Sequence, residues 1–396
     1  MSFTTQRKNG VVLYDINTKK TKTLTDVFDA VNTVEGGLGF GANYTPEDKT
    51  AETLLPVTIS TDNTPTIASA VTVTRQDYTK FQLLSSRDEF LSTSAGYLVS
   101  TAPSGADISR VRSFFYDGQE VEFQWRYIQG AATIIADGEV VAEVNLFNAM
   151  NQPRWFKIDL GSAKLRKIEV HSRLDLAGSI AIEPNTVMYP TRDKGYKIGV
   201  LGDSITDGTG SQFARNFVYN IRRRLGFNDI SNFGIGGSGY INNTGNGKFV
   251  NRIQEVSDAG FEYLMVAGGI NDLAQPIADF STAVDEFYTR ALELFPASNI
   301  IIVSNWSNVG TINDSATTAM RDVLKAKAES IGAKFIDAIN DAGNGWLTGT
   351  GNAVDKEGDG NCDALISDDG THPTNAGHNV YGVNISASLS GKELIL

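Results

Sequence analysis

Between residues ~60 and 190, apolar and polar positions alternate in short runs separated by turn residues: "AVTVTR", "KFQLLSS", "RVRSFFYDG", "VEFQWRYI", "ATIIADGEVVAEV", "RWFKIDLG" and "LRKIEVHS". A period of two over four to eight residues describes strands with one buried face. Asp-Gly pairs at 117–118 and 137–138 are turn signals of the hairpin kind. This stretch, 61–192, is expected to form an antiparallel β-sandwich of jelly-roll type. Around "YPTRDKGYK" a Pro, a Gly and several charges mark a boundary.

From Tyr196 the period changes. "YKIGVLGD" reads as a strand, and Phe213, Phe217, Ile221 and Leu225 then recur every fourth residue, as on one face of a helix. "DISNFGI", "EYLMVAGG", "NIIIVSN" and "AKFIDA" read as strands that alternate with the helical stretches "KFVNRIQEVSDAG", "FSTAVDEFYTRALELF" and "TTAMRDVLKAKAESIG". A last helix is expected near Asn375. Strands that are apolar on both faces and alternate with helices predict a three-layer α/β domain with a parallel sheet over 193–396. Residues 1–60 are the least patterned. "GVVLYDI" reads as a strand and "LTDVFDAVNTV" as a short helix, in an arm for attachment or oligomerisation or in the first strands of the sandwich.

Composition narrows the partners. The chain has 396 residues, 41% apolar and 20% charged, as a folded protein of two or more domains should. A net charge of −12 disfavours nucleic acid and anionic membrane surfaces, which are bound through Lys/Arg patches. One cysteine, Cys362, excludes an internal disulfide and a multi-cysteine zinc site. No stretch reaches 18 apolar residues, and "MSFTTQRKNGVVLYDINTKK" lacks the apolar centre of a secretory signal. Synthesis in a cytoplasm is the expectation.

The candidate chemistry lies where strands end. "VLGDSITDG" closes the first strand of the parallel sheet on Gly202, Asp203 and Ser204, and ligands in such sheets sit beyond the carboxyl ends of the strands. Ser204 could act as an acyl-transfer nucleophile given a base, a group orienting that base and donors for an oxyanion. Of the three histidines, His171 falls in a sandwich strand and reads as structural. His378, in the terminal helix, reads as a packing or surface residue. His372 follows Asp369 in "SDDGTHPTNAGH", a spacing that lets the carboxylate accept from imidazole Nδ1 and leaves Nε2 as base. That tetrapeptide is common on its own. The Gly-rich loop "NFGIGGSGY" offers backbone N–H groups, and "GGIND" offers the side-chain amide of Asn271. Each signal is weak alone, and their conjunction at strand ends of one sheet favours the catalytic reading.

These blocks resemble the SGNH (GDSL-type) hydrolase superfamily of esterases and lipases. The resemblance covers roughly 196–396 and implies a flavodoxin-like fold, with Ser204 as nucleophile in Gly202-Asp203-Ser204. The Asn232–Gly237 block implies Gly237 as an oxyanion glycine, Gly269–Asp272 implies Asn271 as the oxyanion asparagine, and Asp369 and His372 complete a triad. The implied chemistry passes through an acyl-enzyme, with the Ser204 and Gly237 N–H groups and the Asn271 amide holding the oxyanion. Gly236 departs from the Ser or Ala of many members, a smaller residue that should leave the hole intact. No cofactor is required.

A sandwich before such a domain is similar to carbohydrate esterases that deacetylate polysaccharides. Trp125, Tyr127 and Trp155 could stack on sugar rings or pack in the core, and Asp203, Tyr240 and Asn242 are candidate substrate contacts. "DKEGDGNCD" resembles the first half of a calcium loop, with Asp355, Asp359, Asn361 and Asp363 as candidate ligands. Ile366 stands where the bidentate Glu belongs, so the loop reads first as a solvated acidic loop, with calcium as the alternative. The expected function is O-deacetylation of a capsule or O-antigen by a phage tail-spike or tail-fibre protein in a virion. It would be a homotrimer meeting other tail proteins. A bacterial acetylxylan-type or oligosaccharide esterase in the cytoplasm, and a receptor-binding protein with incidental hydrolase activity, are the alternatives.

Overall fold

A computed structural model describes residues 12–15, 20–23 and 54–390, apart from short internal stretches of which 101–108 and 146–152 are the longest. Met1–Thr45 forms one compact unit and Pro46–Leu396 another. In the first, Val12–Asp15 pairs antiparallel with Lys20–Thr23. The helix expected in "LTDVFDAVNTV" lies outside the described residues.

Two antiparallel sheets build the sandwich between Val57 and Pro190. One runs Glu139–Asn145, Ala131–Ala136, Arg166–Arg173, Ser109–Tyr116, Met188–Pro190, with Gln82–Leu84 also on Ser109–Tyr116. The other runs Val57–Ile59, Arg154–Asp159, Glu120–Ile128, Asp175–Ile182, Leu98–Ser100, Phe90–Ser92, with Val71–Val73 beside Asp175–Ile182. Alternate residues face inward: Ile134, Ile168, Val170 and Phe114 meet Val121, Phe123, Phe156 and Ile180, all without exposed surface. Each such burial contributes ~1.5–3 kcal/mol. The pair Asp137-Gly138 closes a hairpin with positive φ at both residues (52° and 90°), as a type I′ turn requires. The pair Asp117-Gly118 does something different. It carries the chain from Ser109–Tyr116 in one sheet to Glu120–Ile128 in the other, so it is a corner and not a hairpin. Tyr116 pins that corner by donating its hydroxyl to the Glu120 carbonyl at 2.6 Å.

The parallel sheet holds β1 (Lys197–Gly202), β2 (Asp229–Gly234), β3 (Tyr263–Ala267), β4 (Ile300–Val303) and β5 (Lys334–Ile336), in the order β2-β1-β3-β4-β5. Its helices are α1 (Ser204–Asp207), α2 (Phe217–Leu225), α3 (Phe249–Asp258), α4 (Ile277–Leu294), α5 (Ser315–Ile331), α6 (Cys362–Leu365) and α7 (Asn375–Ser390). Alternate strand residues serve opposite layers. Val200, Met265 and Ile301 pack with Phe217, Ile221, Leu365 and Tyr381. Leu201, Val266 and Ile302 pack with Ile253, Phe287 and Leu324. Phe213, the first residue of the expected α2 period, lies outside the described residues. The order in which strands are added reverses between β1 and β3, the point beyond whose carboxyl ends ligands bind in such sheets.

The sandwich is docked on the second domain through α2. Arg222 meets Glu169 at 3.3 Å, and the Tyr219 ring meets His171 edge-on with centroids 5.0 Å apart. Arg215 meets Glu143 at 2.9 Å. Among the described residues no helix is long and apolar enough to cross a membrane.

Candidate active site

At the end of β1 the chain turns in a tight space. A Cβ on Gly202 would lie 2.1 Å from the Ala267 carbonyl oxygen, so only glycine fits. Asp203 then caps α1, accepting from the Ile205 N–H at 3.0 Å, and Ser204 stands at the first position of that helix. Gly208 ends the single turn with φ 104°. Ser204 is 9% exposed.

The loop between α6 and α7 brings His372 over the serine. His372 Nε2 lies 2.8 Å from Ser204 Oγ, and Nδ1 lies 2.5 Å from Asp369 Oδ2. Asp369 Oδ1 accepts from the Thr371 and His372 N–H groups and from the Ser367 hydroxyl, at 2.8–2.9 Å. Partial burial works against the Asp369 charge. Hydrogen bonds from the His372 amide and imidazole, Thr371 and Ser367 outweigh it and hold the carboxyl well below the usual range. An ionised Asp369 orients the ring so that Nδ1 carries the proton and Nε2 faces the serine. The other histidines are placed as packing groups. His171 has no exposed surface and lies 3.1 Å from Glu169. His378 accepts from the Phe217 N–H and reaches the Thr209 carbonyl, both at 3.3 Å, and burial lowers its pKa to about 4.

Two loops converge from the neighbouring strands. After β2, the Asn232 amide donates to the Thr206 carbonyl at 2.6 Å and ties that strand end to α1. Gly237 adopts φ 74°, and a Cβ on Gly236 would lie 3.7 Å from Ser204 Cβ, an ordinary contact. After β3, one N–H of the Asn271 amide is held by the Ser238 carbonyl at 2.9 Å. Asp272 behind it accepts from the Tyr240 and Asn242 N–H groups at 2.7 and 2.8 Å. Burial raises its pKa, against the pull of those amides.

The candidate substrate contacts separate. Asp203 has no exposed surface, and its second oxygen accepts from the Gly269 N–H at 2.9 Å. Tyr240 is 1% exposed in a cluster with Phe249, Phe280 and Phe287, its hydroxyl 3.0 Å from that of Tyr288. Both are inside, held there by backbone donors and aromatic packing, and neither can touch a ligand. Asn242 is half-buried at the rim, its amide 3.4 Å from the Asn271 carbonyl oxygen. Trp125 and Trp155 are core residues at 0 and 3% exposure, and the Tyr127 side chain lies outside the described residues.

The acidic loop turns side-chain oxygens toward its own backbone and toward the neighbouring 348–350 segment. Asp359 accepts from the Thr350 N–H and hydroxyl, Asp363 from the Glu357 and Gly358 N–H groups, and Asn361 from the Thr348 N–H. Among the described residues no three His, Cys, Asp or Glu side chains are grouped to hold a metal.

Arg252 and Gly210 escaped the sequence reading. Gly210, at φ 87°, leaves room for the His372 loop, because a Cβ there would lie 2.5 Å from the Pro373 carbonyl oxygen. Arg252 had a visible signal, a charge on the apolar face of "KFVNRIQEV".

The GDSL-like lipase/acylhydrolase family model matches residues 200–380. No match was found among curated proteins. Many solved structures are similar to this chain, among them three that cover about four fifths of it. A family two carbohydrate esterase from Cellvibrio japonicus is 14% identical, covers 82% of this chain and 98% of its own, and gives a TM-score of 0.58. An acetyl xylan esterase from Butyrivibrio proteoclasticus is 13% identical with coverages of 81% and 98% and a TM-score of 0.55. The salicylyl-acyltransferase SsfX3 of a tetracycline biosynthetic pathway is 13% identical with coverages of 81% and 97% and a TM-score of 0.60.

Proposed function

With residues 200–380 belonging to the GDSL-like lipase/acylhydrolase family, we propose that this ester hydrolase works through Ser204, His372 and Asp369 on O-acetyl groups of a polysaccharide. The observation that carries the reading is the unbroken path from Ser204 Oγ to His372 Nε2 at 2.8 Å and from Nδ1 to Asp369 at 2.5 Å. His372 takes the serine proton as Oγ attacks the ester carbonyl. The Ser204 and Gly237 N–H groups and the Asn271 amide receive the oxyanion. His372 then returns the proton to the leaving sugar oxygen, and water repeats the sequence on the acyl-enzyme. The Asp369 side chain is 46% exposed and that of His372 19%, so water reaches the site, which favours hydrolysis over transfer to a second acceptor.

Gly236 and Gly237 keep the loop beside Ser204 free of bulk, so an acetyl group has room there. The relatives named above include enzymes on acetylated and other carbohydrates, which supports a sugar as the alcohol. Capsule or O-antigen as the polymer, and a place in a phage tail, rest on the Gly- and Asn-rich composition. The test is acetate release from acetylated xylan, capsule and O-antigen preparations and from 4-nitrophenyl acetate, wild type against Ser204→Ala. Release by the wild type alone is expected. Equal release by the variant would remove Ser204 from the reaction, and release from xylan but not from capsule or O-antigen would remove the virion reading.

A further inference from the structure

A buried cation sits directly beneath the convergence of strand ends. Arg252, on α3, is 2% exposed, yet its guanidinium is spread over three separate segments. One nitrogen donates to the Gly202 carbonyl at 3.3 Å and to the Ser238 hydroxyl oxygen at 3.0 Å, and another donates to the Phe233 carbonyl. These acceptors belong to the end of β1, the loop after β2 and the end of β2. Ser238 carries the linkage onward, because its own carbonyl holds the Asn271 amide at 2.9 Å. Its hydroxyl meanwhile points at the Ile235 carbonyl oxygen at 2.7 Å and closes the loop that presents Gly237.

We propose that Arg252 is a positioning residue for the oxyanion hole, holding the Gly237 loop and the Asn271 amide in register with Ser204. The proposal rests on the esterase reading of the site. Burying a guanidinium costs several kcal/mol of desolvation, so an apolar side chain of similar volume would serve stability as well or better. What such a side chain could not do is fix three polar segments at once. Only the planar fork of arginine presents enough directed donors, since an ammonium offers a single point of charge. Oxyanion donors act by preorganisation, so small errors in their placement are costly in rate.

The experiment compares wild type, Arg252→Lys, Arg252→Met and Ser238→Ala on 4-nitrophenyl acetate. Folding is monitored by thermal melting, and methylboronic acid serves as a tetrahedral adduct former on Ser204. The expected result is a fall in kcat of ~10²-fold for Arg252→Met, the size of losing one oxyanion donor. Arg252→Lys and Ser238→Ala should fall less, KM should stay within about twofold, and boronate affinity should weaken in step with kcat. Unchanged kcat and boronate affinity in a variant that merely melts earlier would overturn the proposal. So would a rise in KM with kcat intact. If Arg252→Met does not fold, the Lys and Ser238 variants decide by the same ratios. If the wild type hydrolyses no ester, the esterase reading fails, and boronate affinity in wild type against variants still decides the role of Arg252.

Discussion

Asp203 stands one residue before the nucleophile with no exposed surface. Burial pushes its pKa up from 3.8 to about 6, against the pull of the Gly269, Ile205 and Ile270 amides. A raised carboxyl pKa means the folded state holds the proton more tightly than the unfolded chain. Stability from this group is therefore greatest below pH ~4 and falls as pH rises to about 6, by about 3 kcal/mol in all. Asp203→Asn should remove that slope. The difference in urea-unfolding free energy between wild type and variant should change between pH 4.5 and 6.5 and be flat above pH 7. A difference independent of pH would show that Asp203 is ionised throughout. Asn271 makes the complementary case, because its effect belongs to the transition state. Asn271→Ala should lower kcat by ~10²–10³-fold with KM little changed. A KM effect alone would place the amide on the substrate ground state.

At the level of elements, the readable parts are those whose partners lie nearby in the chain. Asp369 and His372 are three residues apart, and one loop suffices to join them. The alternation with helices is plain in the sequence because the central strands β1, β3 and β4 are apolar on both faces. Asp203 looked like a ligand contact because Gly269, which takes its second oxygen, lies 66 residues further on. The acceptors of Arg252 lie 14, 19 and 50 residues back on three separate segments, which hid its role, and local turn chemistry could not reveal that Asp117-Gly118 passes between sheets. Gly210 belongs with these remote fits. With φ 87° and the Pro373 carbonyl close by, Gly210→Ala should displace the His372 loop and lower kcat by up to ~10²-fold. Turnover of 4-nitrophenyl acetate at an unchanged His372 proton count, followed by NMR, separates displacement from a change in ionisation. Cys362, at the start of α6, has no exposed surface. Burial pushes the Cys362 thiol up to about 12, so it should resist thiol reagents at pH 8 and react stoichiometrically in denaturant.

The two domains of the larger unit meet through charges that neither could bury alone. The Arg222 side chain is 2% exposed and that of Glu169 10%. Burial works against the Glu169 charge, but Arg222, His171 and Lys167 outweigh it and hold the carboxyl far below its usual range. A group of this kind contributes stability above pH ~4.5 and loses it as pH falls through the depressed pKa, the reverse of Asp203. Cutting such a pair on one side leaves the other charge buried and unpaired, a loss of ~3–5 kcal/mol. Arg222→Ala should therefore lower the urea midpoint and separate the unfolding of the sandwich from that of the parallel-sheet domain, whereas a single transition is the expected outcome for the wild type. Arg222 points away from Ser204 and into the sandwich, so turnover of a small aryl acetate under native conditions should be unaffected. Tryptophan fluorescence reports both domains, through Trp125 and Trp155 in one core and Trp306 in the other. A variant as stable as wild type, with one transition, would mean that the sandwich is merely tethered. A split transition with intact turnover would instead make the sandwich a structural wall of the hydrolase, docked by α2.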